Sequence, residues 1–204
     1  GIRSQLLLLN TNDQILAITS CSAQEGKSVV ATLIAKAMAI DSKVLLIDMD
    51  LRQRQLTQSL DCAEAKGLTD ILYSDVSVDD AIHHRENVYF LPAGEAKIQS
   101  PLIALTNYKI KDLCTNLRQH FDYIIIDTPA IEDSKETILI SQFTDAAIFV
   151  AASNFNSANT LLSALNQLKQ NNAKILGCVL NKVDDKSLES NENIETPLLN
   201  EEIL

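Results

Sequence analysis

The chain has 204 residues, 46% apolar and 22% charged, a globular composition that excludes a disordered or fibrous chain and sets the expectation of about one domain. With 27 acidic and 17 basic residues its net charge is −10, which excludes whole-surface attraction to nucleic acid or anionic lipid but leaves room for a local phosphate site. No apolar run reaches the roughly 18 residues that a spanning helix needs, and a chain of this size buries about 70% of its unfolded surface without metal or disulfide staples.

A first strand is expected over residues 15–19. It runs into Ser20-Cys21-Ser22-Ala23-Gln24-Glu25-Gly26-Lys27-Ser28 and then a helix over 28–40. That helix is apolar nearly all round, as expected of a central helix packed between the sheet and other elements. A strand, a tight loop ending Gly-Lys-Ser and a helix is the context in which a phosphate-binding loop forms. Backbone N–H groups of the loop and the helix start converge on an anion, and Gly26 allows close backbone approach. Lys27 can reach the β and γ phosphates, and Ser28 can ligate Mg²⁺. The first Gly of G-x-x-x-x-G-K-S is Cys21 here, and the loop alone leaves open a chance Gly-Lys-Ser at a helix start.

A second strand over 44–47 delivers Asp48, Asp50 and Arg52 at its carboxyl end, the edge where open parallel sheets bind ligands. Side-chain alternation puts both carboxylates on one side, able to face one Mg²⁺ or one substrate hydroxyl. The plainer reading of either Asp alone is a strand entering a turn.

Residues 56–86 are less regular, with short helices expected around 69–73 and 78–83. His83 and His84 read as a helix end rather than a metal site, because adjacent side chains on a helix diverge. A strand follows over 88–91, then a helix over 107–120 with Ile110, Leu113 and Leu117 on one stripe. The strand over 123–126 leads into Asp127-Thr128-Pro129, again a carboxylate delivered by a buried strand, as a magnesium-orienting Walker B Asp would be.

A strand over 146–152, a helix over 157–171 and a strand over 175–180 complete an α/β pattern: a mainly parallel central sheet with helices on both faces. From Val183 onward there are seven acidic residues, one Lys and Pro197, which reads as a mobile acidic tail. Cys21, Cys62, Cys114 and Cys178 form no C-x-x-C pair, so neither a zinc ribbon nor a disulfide framework is indicated, and a reducing cytoplasm is expected. Gly1 stands where an initiator Met would, so one domain of a longer protein is expected.

Together the S-x-x-x-x-E-G-K-S loop, the D-x-D-x-R after the second strand and Ile124-Ile125-Ile126-Asp127-Thr128-Pro129 resemble the bacterial tyrosine kinases of capsule and exopolysaccharide synthesis. Gly67-Leu68-Thr69-Asp70-Ile71-Leu72, Leu91-Pro92-Ala93-Gly94, Phe121-Asp122-Tyr123 and Gly177-Cys178-Val179-Leu180-Asn181 agree with that family, over residues 2–185. It is a P-loop NTPase family related to the chromosome-partitioning and division-site ATPases. Those relatives carry a signature Lys where this chain has Ser22, which sides with the kinases.

The resemblance implies a P-loop ATP-binding domain over residues 1–183 and a tail over 184–204. ATP or ADP would be held by Ser22, Ala23, Gln24, Glu25, Gly26, Lys27, Ser28 and Val29, with Asn181 at the adenine. Mg²⁺ would be held by Ser28, Asp50 and Asp127, directly or through water. Lys27, Asp48, Asp50 and Asp127 would carry catalysis, Asp48 orienting or deprotonating the accepting hydroxyl; the roles of Asp48 and Asp50 are interchangeable at this stage. The family further implies a homo-oligomeric ring, a membrane polysaccharide co-polymerase domain or subunit, a cognate phosphatase and no nucleic-acid partner. The expected location is the cytoplasm, at the inner face of the bacterial inner membrane.

Two features depart from the family. Its acceptor is a tyrosine-rich tail, yet residues 183–204 contain no Tyr; Tyr73, Tyr89, Tyr108 and Tyr123 complete the set, with Tyr89 and Tyr123 expected in the core. Of the ring-forming E-x-x-R-x-x-R only its end is present, at Arg3. Two readings follow: an Mg-ATP-dependent tyrosine autokinase domain, or an ATP-binding and hydrolysing assembly switch without tyrosine transfer. A catalytically dead module is opposed by the intact Lys27, Asp48, Asp50 and Asp127.

Overall fold

The structure is a computed structural model and describes residues 12–95, 98–133 and 135–183. The expected tail and Arg3 lie outside the described residues. Strands are β1 (Ile15–Ser20), β2 (Val44–Asp48), β3 (His83–Arg85), β4 (Val88–Leu91), β5 (Tyr123–Asp127), β6 (Ala146–Ala152) and β7 (Ile175–Asn181). Helices are α1 (Lys27–Met38), α2 (Gln55–Ser59), α3 (Leu68–Tyr73), α4 (Val78–Ala81), α5 (Pro101–Leu105), α6 (Lys109–Leu117), α7 (Glu136–Ser141) and α8 (Ala158–Gln170).

The strands form one seven-stranded sheet in the order β3-β4-β2-β5-β1-β6-β7. Every pairing is parallel except β3 with β4. The central strands are Ile- and Leu-rich because both faces are covered. On one face Leu16, Ile18, Leu46 and Ile125 pack under Val30, Ile34 and Met38 of α1. On the other, Ile15, Leu45, Ile47, Ile124 and Ile126 pack under Leu105, Ile110, Leu113 and Leu117. Each such side chain contributes about 1.5–3 kcal/mol by leaving water. α8 adds Ala164 and Leu168 over Phe149 and Ala151 of β6.

Three expectations are corrected. His83 and His84 do not end a helix: α4 stops at Ala81, and the two histidines begin an antiparallel edge strand in which His84 opposes Tyr89. The α1 helix is not covered all round, since Val29 and Leu33 along its outer side are 61% and 60% exposed; composition showed its apolarity but not which stripe finds a partner. Tyr89 and Tyr123 are half-buried rather than core. The helices α2, α5 and α7 were not anticipated, because five or six residues are too short to display a period. They start at local signals instead: α5 has Pro101 in its first turn, while α2 follows Arg54 in a left-handed conformation at φ 49.

The segments 67–72 and 91–94 meet beside β4. Leu68 N–H donates to Pro92 O and Thr69 N–H to Ala93 O, both at 2.9 Å. A Cβ on Gly67 would lie 2.3 Å from Pro92 O, so the approach requires glycine.

Candidate active site

Parallel pairing brings three carboxyl strand ends together. In the register Asp48 is opposite Asp127, and Asp127 opposite Ile18 of β1, whose chain continues directly into the Ser20–Ser28 loop. The site thus lies at the carboxyl edge of β2, β5 and β1, where such sheets bind ligands.

Gly26 caps α1 in the left-handed region at φ 94, without a side-chain cap and with no acidic residue in the helix's first turn. The N-terminal N–H groups of α1 are therefore aimed at the loop's concavity with no competing carboxylate from the helix, the arrangement that binds an anion. A Cβ at Gly26 would fall 2.1 Å from Asn181 Nδ2. That amide donates to Glu25 O at 2.9 Å, and Lys182 Nζ donates to Gln24 O at 2.7 Å, so the end of β7 laces the outside of the loop. Ser20 Oγ donates to Ser22 O at 2.7 Å inside the loop. Ala23, Gln24 and Val29 are exposed, whereas Glu25 and Lys27 are buried. A cleft of about 700 Å³ opens beside the loop between α1 and α2, walled by Gly26, Val29, Leu33, Leu60 and Lys182. Another cavity, about 410 Å³, lies further along α1 over Leu46, Val88 and Phe90, away from the carboxylates.

The three aspartates have different environments. Asp48 is fully buried: Oδ2 accepts from Thr57 N at 2.8 Å and Thr57 Oγ1 at 2.7 Å, and Oδ1 accepts from Asp50 N at 3.1 Å. Thr57 Oγ1 in turn accepts from Ala93 N at 2.9 Å. Burial pushes the Asp48 carboxyl up to about 6 against these bonds, and the charge of Asp50 adds to the rise. Asp50 accepts from Gln53 N at 3.0 Å through Oδ1. Asp127 is buried, and its Oδ1 has no hydrogen-bond partner among the described residues. Burial first, then the charge of Asp48, pushes its carboxyl up to about 8, opposed by the Ser28 hydroxyl and the Lys27 charge.

An orphaned buried carboxylate oxygen beside Ser28 and two further aspartates fits a hard cation with oxygen ligands. No group of three or more His, Cys, Asp or Glu side chains forms a cage among the described residues. Mg²⁺ uses one or two carboxylates and completes its shell with phosphate and water.

A family model described as an AAA domain matches residues 13–177. Tyrosine-protein kinase CpsD of Streptococcus agalactiae serotype III is 31% identical over 189 residues, 91% of this chain and 81% of that protein. The chain belongs to the bacterial tyrosine-protein kinase family. Among solved structures, the VpsO kinase domain superposes with a TM-score of 0.84 at 28% identity, covering 90% of this chain and 92% of that one. The succinoglycan biosynthesis transport protein ExoP of Rhizobium meliloti is 30% identical over 187 residues, 89% of this chain but 24% of ExoP.

Within this kinase-family domain, the structure brings Lys27, Ser28, Asp48, Asp50 and Asp127 to one edge. It also holds Asn181 at the loop, with its amide spent on Glu25 O. Three contributors escaped the sequence reading. Thr57 fixes Asp48 from nine residues away, a link with no local signature. Glu136, buried at the start of α7, receives Arg52 Nη2 at 2.6 Å, which gives the Arg of D-x-D-x-R a partner. Lys182 follows Asn181 directly, and that adjacency was the available signal.

Proposed function

We propose that this domain transfers the γ-phosphoryl group of Mg-ATP to a tyrosine hydroxyl and thereby regulates bacterial exopolysaccharide or capsule polymerisation and export. The observation that carries the nucleotide assignment is the unpartnered Asp127 Oδ1 at the foot of a left-handed Gly26 loop. The loop N–H groups and the start of α1 bind the phosphates, and Lys27 holds charge that develops on the transferring group. Ser28, Asp50 and Asp127 hold Mg²⁺, which, when bound, neutralises charge on the β and γ phosphates. Raised basicity suits Asp48 to take the hydroxyl proton, while Thr57 keeps it in place. Positioning and electrostatics supply most of the rate in such transfers, so a strong base is unnecessary. The Asn181 Oδ1 is left to accept from the adenine amino group.

Residues 183–204 contain no Tyr to serve as acceptor. Tyr108 and Tyr73, 73% and 45% exposed, are the accessible tyrosines among the described residues. A ring of copies, a membrane polysaccharide co-polymerase and a cognate phosphatase are the partners this reading takes, at the inner face of the inner membrane. The lack of Tyr within residues 183–204 favours a second reading, an ATP-hydrolysing assembly switch.

Peptide mass spectrometry after incubation with Mg-ATP, beside Lys27→Met, separates them. Phosphotyrosine in the wild type and not in the variant supports the kinase. ADP formation with no phosphotyrosine, with or without a co-polymerase fragment present, supports the switch.

A further inference from the structure

The Glu25 carboxylate is wholly buried beneath the phosphate loop, an unexpected place for a negative charge when the loop's other side is built for anions. A buried carboxylate is tolerated only when hydrogen bonds replace its hydration. Its Oε2 accepts from Ser22 N at 2.8 Å. Its Oε1 accepts from Ala152 N at 3.2 Å and Asn156 Nδ2 at 3.0 Å. Ser22 Oγ donates to Glu132 Oε2 at 2.5 Å and also lies 3.2 Å from Asn156 Oδ1. The main chain of Glu25 takes the Asn181 amide on its carbonyl. One residue therefore joins the start of the loop, the end of β6, the turn into α8 and the end of β7.

We propose that Glu25 is a positioning residue, an acceptor-only brace that couples phosphate binding in the loop to the order of the β6–α8 turn at residues 153–157. It rests on the nucleotide assignment above but assigns Glu25 no contact with nucleotide through its side chain. The chemistry requires a carboxylate because N–H donors approach both oxygens. A glutamine of the same shape would turn an NH₂ group toward either Ser22 N–H or the Ala152 and Asn156 donors, leaving a donor facing a donor. The loop would then lose its fixed N–H directions, and the turn its tie to the loop.

The test uses the whole chain with Mg-ADP as probe, comparing wild type, Glu25→Gln and Asn156→Asp. The last sets a second carboxylate against Glu25 from a half-buried position. Both substitutions are expected to weaken Mg-ADP binding by about tenfold or more, the scale of a lost charge-assisted hydrogen bond. At saturating ADP, amide exchange at residues 153–157 is expected to be faster in both variants than in wild type, with α6 unchanged; a merely structural defect would loosen both regions with or without ADP. A folded Glu25→Gln with Mg-ADP affinity within a factor of about two of wild type and unchanged exchange at 153–157 overturns the proposal. If Glu25→Gln does not fold, the same result for Asn156→Asp overturns it. Wild type that binds no Mg-ADP overturns the nucleotide assignment and this inference together, whereas indifference confined to the variants overturns this inference alone.

Discussion

Gly26 joins two requirements at one residue: a left-handed backbone at φ 94 and a neighbour, Asn181 Nδ2, 2.1 Å from where a Cβ would sit. Gly26→Ala is therefore expected to destabilise the fold by about 1–3 kcal/mol through backbone strain, and to lower Mg-ADP affinity further by displacing Asn181. Thermal unfolding and calorimetric titration read the two effects separately. Asp145 is a residue whose effect depends on pH. Burial would raise its carboxyl, yet bonds from Arg118 and the N–H groups of Ile15 and Gln14 hold it below its ordinary value of 3.8. A folded-state value below the unfolded one contributes stability above the unfolded value and loses it as pH falls through the folded one. Asp145→Asn should thus cost about 1 kcal/mol at neutral pH, discounted because Arg118 is partly solvated, and almost nothing in strong acid. Denaturant titrations across that range would refute this if the difference were constant.

Arg52, on the loop after β2, and Glu136, opening α7, connect the segments that follow β2 and β5. Glu136 is 2% exposed and Arg52 50% exposed, with Nη2 2.6 Å from Oε1. Removing the cation strands a buried carboxylate, so Arg52→Ala should destabilise by about 1 kcal/mol after allowance for exposure. Adding Glu136→Gln should restore part of that loss, and strictly additive losses in equilibrium unfolding would contradict the pairing. This bridge also shows where the sequence stops being readable. The Ile- and Val-rich strands, the Gly26-Lys27-Ser28 loop and the aspartates at strand ends are legible because each is set by neighbours in sequence. The Arg52–Glu136 bridge spans 84 positions and the Glu25–Asn156 bond 131, so nothing local announces them. The strand at His83 is hidden in the sequence for a related reason: its identity comes from pairing with β4, not from its own three side chains.

At the scale of the molecule, the order β3-β4-β2-β5-β1-β6-β7 puts β5 between the two strands that carry the loop and Asp48. Three separate segments thereby converge on one edge, and their convergence gives the family resemblance its chemical content. The claim that depends on all of them is that this edge binds the phosphates of Mg-ATP through Lys27. Equilibrium titration of wild type and Lys27→Met with ATP in the presence of Mg²⁺ tests it most directly, since Met keeps most of the buried side-chain volume. The account predicts saturable binding by the wild type and a loss of about a hundredfold in the variant, the scale of charge-assisted phosphate contacts removed from a buried site, with the unfolding midpoint of the free protein little changed. Equal affinities of the two proteins for Mg-ATP would contradict it.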